Sequence, residues 1–406
     1  MAALERWIGD DAEHSAAECI RSNFPAGDPF VKPDTDGPPE KIPSRPASAL
    51  PAYDCTAREI RDSIVSCRPK NPASNHFVWF IPEFDLATSE KVLTALRIAD
   101  YFQRCCQIRS TFVAPGRAYP STLRERIAKV APGLAACDIE VVRNGMAVSN
   151  IAESDAAIAV SWDSAYRLLR YNKTGQKFYF FDRGESGEPA QPLVEATWQF
   201  GLKGLCVSPE LRDLYVARGG DAQLFTPCID RDVFYSSSKQ PEGGEPYTLF
   251  CRTEGSVLHE QTLEIIKGHL GSRLRIITNE FGYRTSGAVF RMCDAALLLT
   301  GSRHSHDLAL KLMACGSLVI AEDGPGFDWL LRNGDNCLLA PSTPSVLAAT
   351  IEEGLTNLEL RRRIVKSAAQ MVHDRYSDWD RSAEEILGFI LGITAARPTL
   401  EDQHPK

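Results

Sequence analysis

The chain has 406 residues, 44% apolar and 24% charged, with a formal charge of −8 at neutral pH. That length exceeds what one ordinary core organises, so two domains are expected. The acidic balance argues against a nucleic-acid partner, whose phosphates need a basic face, and no apolar run approaches the roughly 20 residues that cross a bilayer, so no transmembrane segment is expected.

The opening stretch "MAALERWIGDDAEHSAAECIRSNF" lacks the basic-then-apolar pattern of a secretory signal. Twelve cysteines are scattered through apolar runs such as "GLCVSP" and "LFCRTE", and none forms a CxxC pair. They read as buried free thiols in a reducing compartment, which makes the protein cytoplasmic, with no metal site.

Residues 1–70 form a Pro-rich leader, "FPAGDPFVKPDTDGPPEKIPSRPASALPAY" at its centre, with too little apolar surface to fold alone. Short helices are expected on either side, in "ALERWIGDDAEHSAAECIRS" and "TAREIRDSIVSC". From His76 onward short apolar runs alternate with amphipathic segments. "HFVWFIP" reads as a strand, "SEKVLTALRIADYFQRC" as a helix, "IRSTFVAP" as a strand and "YPSTLRERIAKVAP" as a helix. "CDIEVV" and "DAAIAVSW" continue as strands, followed by the helix "DSAYRLLRY", the strands "KFYFF" and "KGLCVS", the helix "PELRDLYVARG" and the strand "DAQLFTPCI".

A Ser-, Gly- and Pro-rich linker, "YSSSKQPEGGEP", separates a first domain at 71–235 from a second at 246–376. The second repeats the alternation: strands in "YTLFCR", "RLRIIT", "DAALLLT", "SLVIAED" and "NCLLAP", helices in "HEQTLEIIKGHL", "TSGAVFRMC", "SHDLALKLMACG" and "GFDWLLRNG". A long helical stretch follows from Thr343, with a break expected near "TNLE". A final helix at 377–393 is expected to pack back on the first domain. Strand–helix alternation of this kind builds an α/β fold of parallel, doubly wound, Rossmann-like sheets.

In such sheets ligands bind outside the carboxyl ends of the strands, where helix N-termini attract anions. "TGSRHSHDLALKLMACG" places Arg303, His304 and His306 at one such helix start, with Asp307 able to cap its free N–H groups. A phosphate-bearing ligand is expected there.

The ordered series "MACG", "SLVIAED", a Gly-Pro-Gly turn and "NCLLAPSTPSVLAATI", between about Asp294 and Ala369, resembles the C-terminal half of retaining glycosyltransferases of the GT4 group. "FVWFIPEFDLATSEKVLTALRIADYF", "DAAIAVSWDSAYRLL" and "VEATWQFGLKGLCVSPELRDLY" are similar to a narrower set, the bacterial rhamnosyltransferases of the WsaF type. The resemblance runs from residue 76 to 393. It implies the GT-B fold, two Rossmann-like domains facing a central cleft, and transfer of a hexose or deoxyhexose from a nucleotide sugar to an acceptor glycan or small molecule. It also implies retention of configuration and no metal or other cofactor; a dTDP-rhamnose-like donor follows only from the narrower set.

The resemblance implies donor-side roles for Arg252, Arg284, His304 and Asp328; the helix start adds Arg303, His306, Asp307 and Lys311, and the loops after two strands of the first domain offer Glu83, Asp85, Thr88, Ser89 and Glu185 as acceptor-side candidates. His304 and Asp182 are the candidates for catalytic proton transfer. Two departures stand out. Relatives carry two Glu eight residues apart where this chain has Arg303 and Lys311, and an ammonium cannot accept a hydroxyl proton as a carboxylate does. "PEFDLATSEK" also lacks the glycines that usually follow the first strand. A catalytically degenerate homologue that binds a nucleotide sugar or a partner enzyme is therefore the alternative. A nucleotide-sugar epimerase is a weaker one, since no acid/base set for it is visible.

Overall fold

The computed structural model describes residues 57–65, 75–82, 90–116, 119–142, 148–181, 191–236, 246–252, 256–278, 281–298, 305–324 and 328–392. Their contacts divide into two compact units, one of Cys228–Ser377 and one of the described residues before and after it.

The outer unit holds α1 (Ala57–Val65), β1 (His76–Phe80), α2 (Glu90–Cys106), β2 (Arg109–Pro115), α3 (Pro120–Val130), β3 (Asp138–Val142), β4 (Ser154–Ala159) and α4 (Trp162–Arg170). It continues through β5 (Thr174–Phe181), α5 (Gln191–Thr197), β6 (Lys203–Cys206), α6 (Pro209–Val216) and β7 (Asp221–Leu224). Its seven strands are all parallel, in the order β3-β2-β1-β4-β5-β6-β7.

All five residues of β1, "HFVWF", are buried, as expected for a parallel strand covered on both faces. Trp79 lies 6.2 Å from Phe102 of α2 and 6.4 Å from Phe112 of β2, so aromatic contacts tie helix to sheet. After β4 the chain turns into α4 through a capping box between Ser161 and Ser164. Arg167 of that helix is buried and donates to the Ile81 carbonyl at 3.0 Å, joining α4 to the end of β1.

The inner unit holds β8 (Tyr247–Cys251), α7 (Val257–Leu270), β9 (Leu274–Ile277), α8 (Tyr283–Arg291), β10 (Ala295–Leu298) and α9 (Ser305–Cys315). It is completed by β11 (Leu318–Glu322), β12 (Leu338–Ala340), α10 (Pro344–Thr356) and α11 (Leu358–Arg375). Its five parallel strands run β12-β11-β10-β8-β9. Leu263 and Ile266 of α7 and Leu347 and Ile351 of α10 share one core with Leu249, Leu297 and Ile320 of the sheet.

Helix α9 ends at Gly316, whose φ of 86° is the left-handed conformation that glycine adopts without a Cβ penalty. The expected break between α10 and α11 falls at Asn357, whose side chain accepts from Leu360 N at 3.1 Å. The chain then returns to the outer unit as α12 (Trp379–Leu391), which packs on α2. Among the described residues no helix is long and apolar enough to cross a membrane.

Three expectations need correction. The described part of "GFDWLLRNG", residues 328–334, forms turns and a bridge, not a helix. The cause is Asn336, fully buried, which accepts from Arg332 N at 2.7 Å and donates to the Leu330 carbonyl at 2.9 Å, holding backbone that a helix would have paired with itself. Helix α5, "QPLVEAT", was not anticipated, because seven residues are too few to show a 3.6 period. Nor are all the thiols buried: Cys105 is exposed and Cys106 and Cys228 are half-buried, the first two because they close α2 at its surface end. The leader before Ala57, including its first expected helix, lies outside the described residues.

Candidate functional site

In the inner sheet the winding reverses between β8 and β10. The space outside the carboxyl ends of two such strands is the natural ligand position of an open parallel sheet. Cys251, the last residue of β8, is in register with Leu297 of β10, so Arg252 emerges at this reversal, half-buried. Helix α7 starts just beyond Arg252, and α9 is the helix that follows β10. Two helix N-termini therefore point to the same rim, and their unpaired N–H groups favour negative charge.

Helix α9 is apolar nearly all round, with Ala309, Leu310, Leu312 and Met313 buried. Its charges are thus confined to few positions. Lys311 is only 8% exposed, and its Nζ lies 2.5 Å from Asp307 Oδ2, one turn earlier. The ammonium also faces the ring of Phe234 at 5.3 Å and that of Tyr283 at 5.8 Å. Phe234 meets Tyr283 edge to face at 5.3 Å, and the Tyr283 hydroxyl donates to buried Asp230 at 3.2 Å. A cation is kept inside the protein here because a carboxylate and two aromatic faces compensate its lost hydration.

His306 is buried, with its ring 6.0 Å from that of Trp329. Trp329 belongs to the turn after β11, and its neighbour Asp328 is exposed. Arg284 is exposed in the first turn of α8. The structure thus brings Asp307 and Lys311 into one pair and sets Arg252 and His306 on the same side of the sheet, while Arg284 and Asp328 stand at the surface. Arg303, His304, Asp182, Glu185, Glu83, Asp85, Thr88 and Ser89 lie outside the described residues.

Sequence reasoning missed Phe234 and Tyr283, whose rings face Lys311, Asp230, which accepts from Tyr283, and His259 in the first turn of α7. His259 is 3% exposed, and burial pushes its imidazole below the ordinary histidine range, with Glu322 at the end of β11 opposing that shift. One signal was available for it: His259 is four residues before Leu263, on the core-facing stripe of the helix.

Comparison with known proteins agrees with this architecture. Residues 282–388 match the family described as glycosyl transferase-like. The O-antigen biosynthesis protein RfbC of Myxococcus xanthus is 29% identical over 358 residues, which cover 80% of this chain and 28% of that protein. The chain therefore spans less than a third of that relative's length.

Among solved structures, Anabaena Alr3699/HepE, in complex with UDP and glucose, aligns with a TM-score of 0.57 at 12% identity, covering 78% of this chain and 99% of its own. The pneumococcal O-GlcNAc transferase GtfA, in complex with UDP and GlcNAc, aligns at 0.53 and 9%, covering 78% and 99%. TarM aligns at 0.60 and 8%, covering 79% and 99%.

Two parallel-sheet, Rossmann-like units with these counterparts define the GT-B fold. The segment from α8 to α12 carries the match to the glycosyl transferase-like family.

Proposed function

We propose that the protein transfers a hexose or deoxyhexose from a nucleotide sugar to an acceptor hydroxyl, with retention of configuration and without a metal. The observation that carries this reading is the meeting of Arg252, the start of α9 and the start of α7 at the winding reversal of the inner sheet. UDP in the complexes of Alr3699/HepE and GtfA supports a nucleoside diphosphate as the leaving group. The likeness to GT4 enzymes and to rhamnosyltransferases of the WsaF type supports retention and a deoxyhexose.

In the reaction the bond between the anomeric carbon and the diphosphate oxygen breaks and a bond to the acceptor oxygen forms. The acceptor proton ends on the departing diphosphate or on a base, for which His304 and Asp182 are the candidates. Arg252 and the helix N-terminus offset the charge that develops on the diphosphate, a role in which preorganised donors are effective. Asp307 takes over the hydroxyl-accepting part of the carboxylate that relatives have in place of Lys311. Arg303, His306, Arg284 and Asp328 complete the donor side, and Glu83, Asp85, Thr88, Ser89 and Glu185 the acceptor side.

The second reading, a degenerate homologue that only binds a nucleotide sugar or partner, is favoured by two departures: Arg303 and Lys311 stand where the resembling enzymes have a pair of glutamates, and "PEFDLATSEK" lacks their glycines after the first strand. Thermal-shift measurements with UDP, dTDP, GDP and their sugar conjugates, on wild type and Arg252→Ala, test the site. A ligand at 100-fold its Kd stabilises by about 2.7 kcal/mol. A rise in Tm with one nucleotide that is lost in Arg252→Ala is expected. No shift with any of them at millimolar concentration overturns the proposal. Binding without transfer to any acceptor moves the conclusion to the degenerate homologue.

A further inference from the structure

In the inner unit two buried side chains have polar atoms with no hydrogen-bond partner among the described residues: His259, at both ring nitrogens, and Trp329, at Nε1. The other such side chains, Trp79, Ser110, Arg167 and Trp198, belong to the outer unit. Buried polar groups in native proteins are nearly always paired, so a ring with neither nitrogen satisfied calls for a partner from elsewhere.

The position of His259 says what kind of partner. It is in the first turn of a 14-residue helix, α7, which follows β8 and Arg252. It shares the sheet-facing stripe of Leu263, Ile266 and Leu270 but sits at the end of that stripe nearest the carboxyl ends of the strands. Glu322, which ends β11, is near enough to act on its charge. The ring is therefore at the rim of the proposed donor site, beneath its surface. Trp329, the second unsatisfied group, borders the same end of the sheet beside His306.

We infer that His259 is a ligand-binding residue that hydrogen-bonds a hydroxyl of the glycosyl group of the bound nucleotide sugar; this rests on the donor-site reading above. A neutral imidazole offers one N–H donor and one acceptor nitrogen, and a sugar hydroxyl, which both donates and accepts, can serve either of them. A phosphate oxygen only accepts, so it can serve the N–H alone, whereas a sugar carries several hydroxyls and can supply a partner to each nitrogen. The division of labour follows: Arg252 and the helix start hold the diphosphate, and His259 holds the sugar.

The experiment compares the full chain with His259→Leu and His259→Gln by calorimetric titration. The ligands are UDP and UDP-glucose, dTDP and dTDP-rhamnose, and GDP and GDP-mannose. For the pair that wild type binds, His259→Leu is expected to leave the bare nucleotide unchanged and to weaken the sugar conjugate about ten-fold, the worth of one or two net hydrogen bonds. His259→Gln, which keeps a donor and an acceptor, is expected to retain much of that affinity.

Equal affinity of wild type and His259→Leu for the conjugate overturns the inference and leaves the donor-site reading standing. Failure of wild type to bind any of the six ligands overturns both. Should His259→Leu not fold, histidine-labelled wild-type protein decides by NMR, with His259→Gln assigning the resonance. A ring shift with the conjugate and none with the bare nucleotide supports the contact; no shift with either overturns it.

Discussion

His76 and His259 are buried to nearly the same degree, 4% and 3% exposed, yet they are opposite cases. His76 opens β1 in the outer unit, at the amino end of the strand. Its Nδ1 meets the Glu153 carbonyl at 2.7 Å and its Nε2 meets Thr111 Oγ1 at 2.8 Å. His259 lies at the carboxyl end of the inner sheet and has neither nitrogen paired among the described residues. Burial alone therefore does not mark a functional histidine. What separates the two is where their hydrogen-bonding capacity goes: into the fold in one, away from it in the other.

The largest effect that sharpens this comparison is expected at a satisfied charge. Arg361 and Asp294 form a pair at 3.2 Å with both side chains 7% exposed, and Thr248 N also donates to Asp294. Burial pushes the Asp294 carboxyl up, while the Thr248 N–H and Arg361 pull it back down. Arg361→Met strands that carboxylate and should cost about 3–5 kcal/mol in urea unfolding. Next comes His76→Leu, which orphans the Glu153 carbonyl and the Thr111 hydroxyl at about 1–3 kcal/mol per group. His259→Leu strands nothing among the described residues, and at pH 8 it should be neutral or mildly stabilising. If it costs as much as His76→Leu, the contrast fails.

A smaller effect is expected from pH. The folded-state pKa of His259 is below its unfolded value, so below the unfolded pKa of about 6.5 the unfolded chain binds a proton that the folded chain refuses. This stability is fully present above that pKa and is lost as pH falls toward the folded value. For this one group the loss cannot exceed about 1.4 kcal/mol per pH unit. Urea midpoints between pH 7 and pH 5 should fall less in His259→Leu than in wild type; parallel curves would contradict the assignment.

Much of the architecture was legible in the sequence because parallel strands announce themselves as short apolar runs. "HFVWF" and "DAALLL" each became a strand with every described residue buried. The stop of α9 at Gly316 and the break at Asn357 were legible because glycine and asparagine act locally. The turns at 328–334 were not, since Asn336 sets them from beyond the stretch itself.

The candidate site was legible only in part. Asp307 and Lys311 stand at the i,i+4 spacing of a helical ion pair. That the lysine is interior depends on Phe234 and Tyr283, which arrive from other elements and which no local pattern announces. His259 read as one polar residue in an amphipathic helix, because an unpaired ring is visible only once its neighbours are placed.

Helix α12 carries a consequence for biosynthesis. It closes the outer unit from far along the chain: Glu384 accepts from Tyr101 at 3.0 Å, Glu385 from Thr226, and the Ile390 carbonyl from Gln176 at 2.9 Å, while Phe389 meets Phe178. A ribosome that has released residues 57–227 has made seven strands whose last covering helix does not yet exist. The inner unit, contiguous from Cys228 to Ser377, is the first whose described parts are all available. Although domains generally fold in the order of synthesis, the unit that begins the described chain is the one that must wait, holding apolar surface open until its final helix emerges.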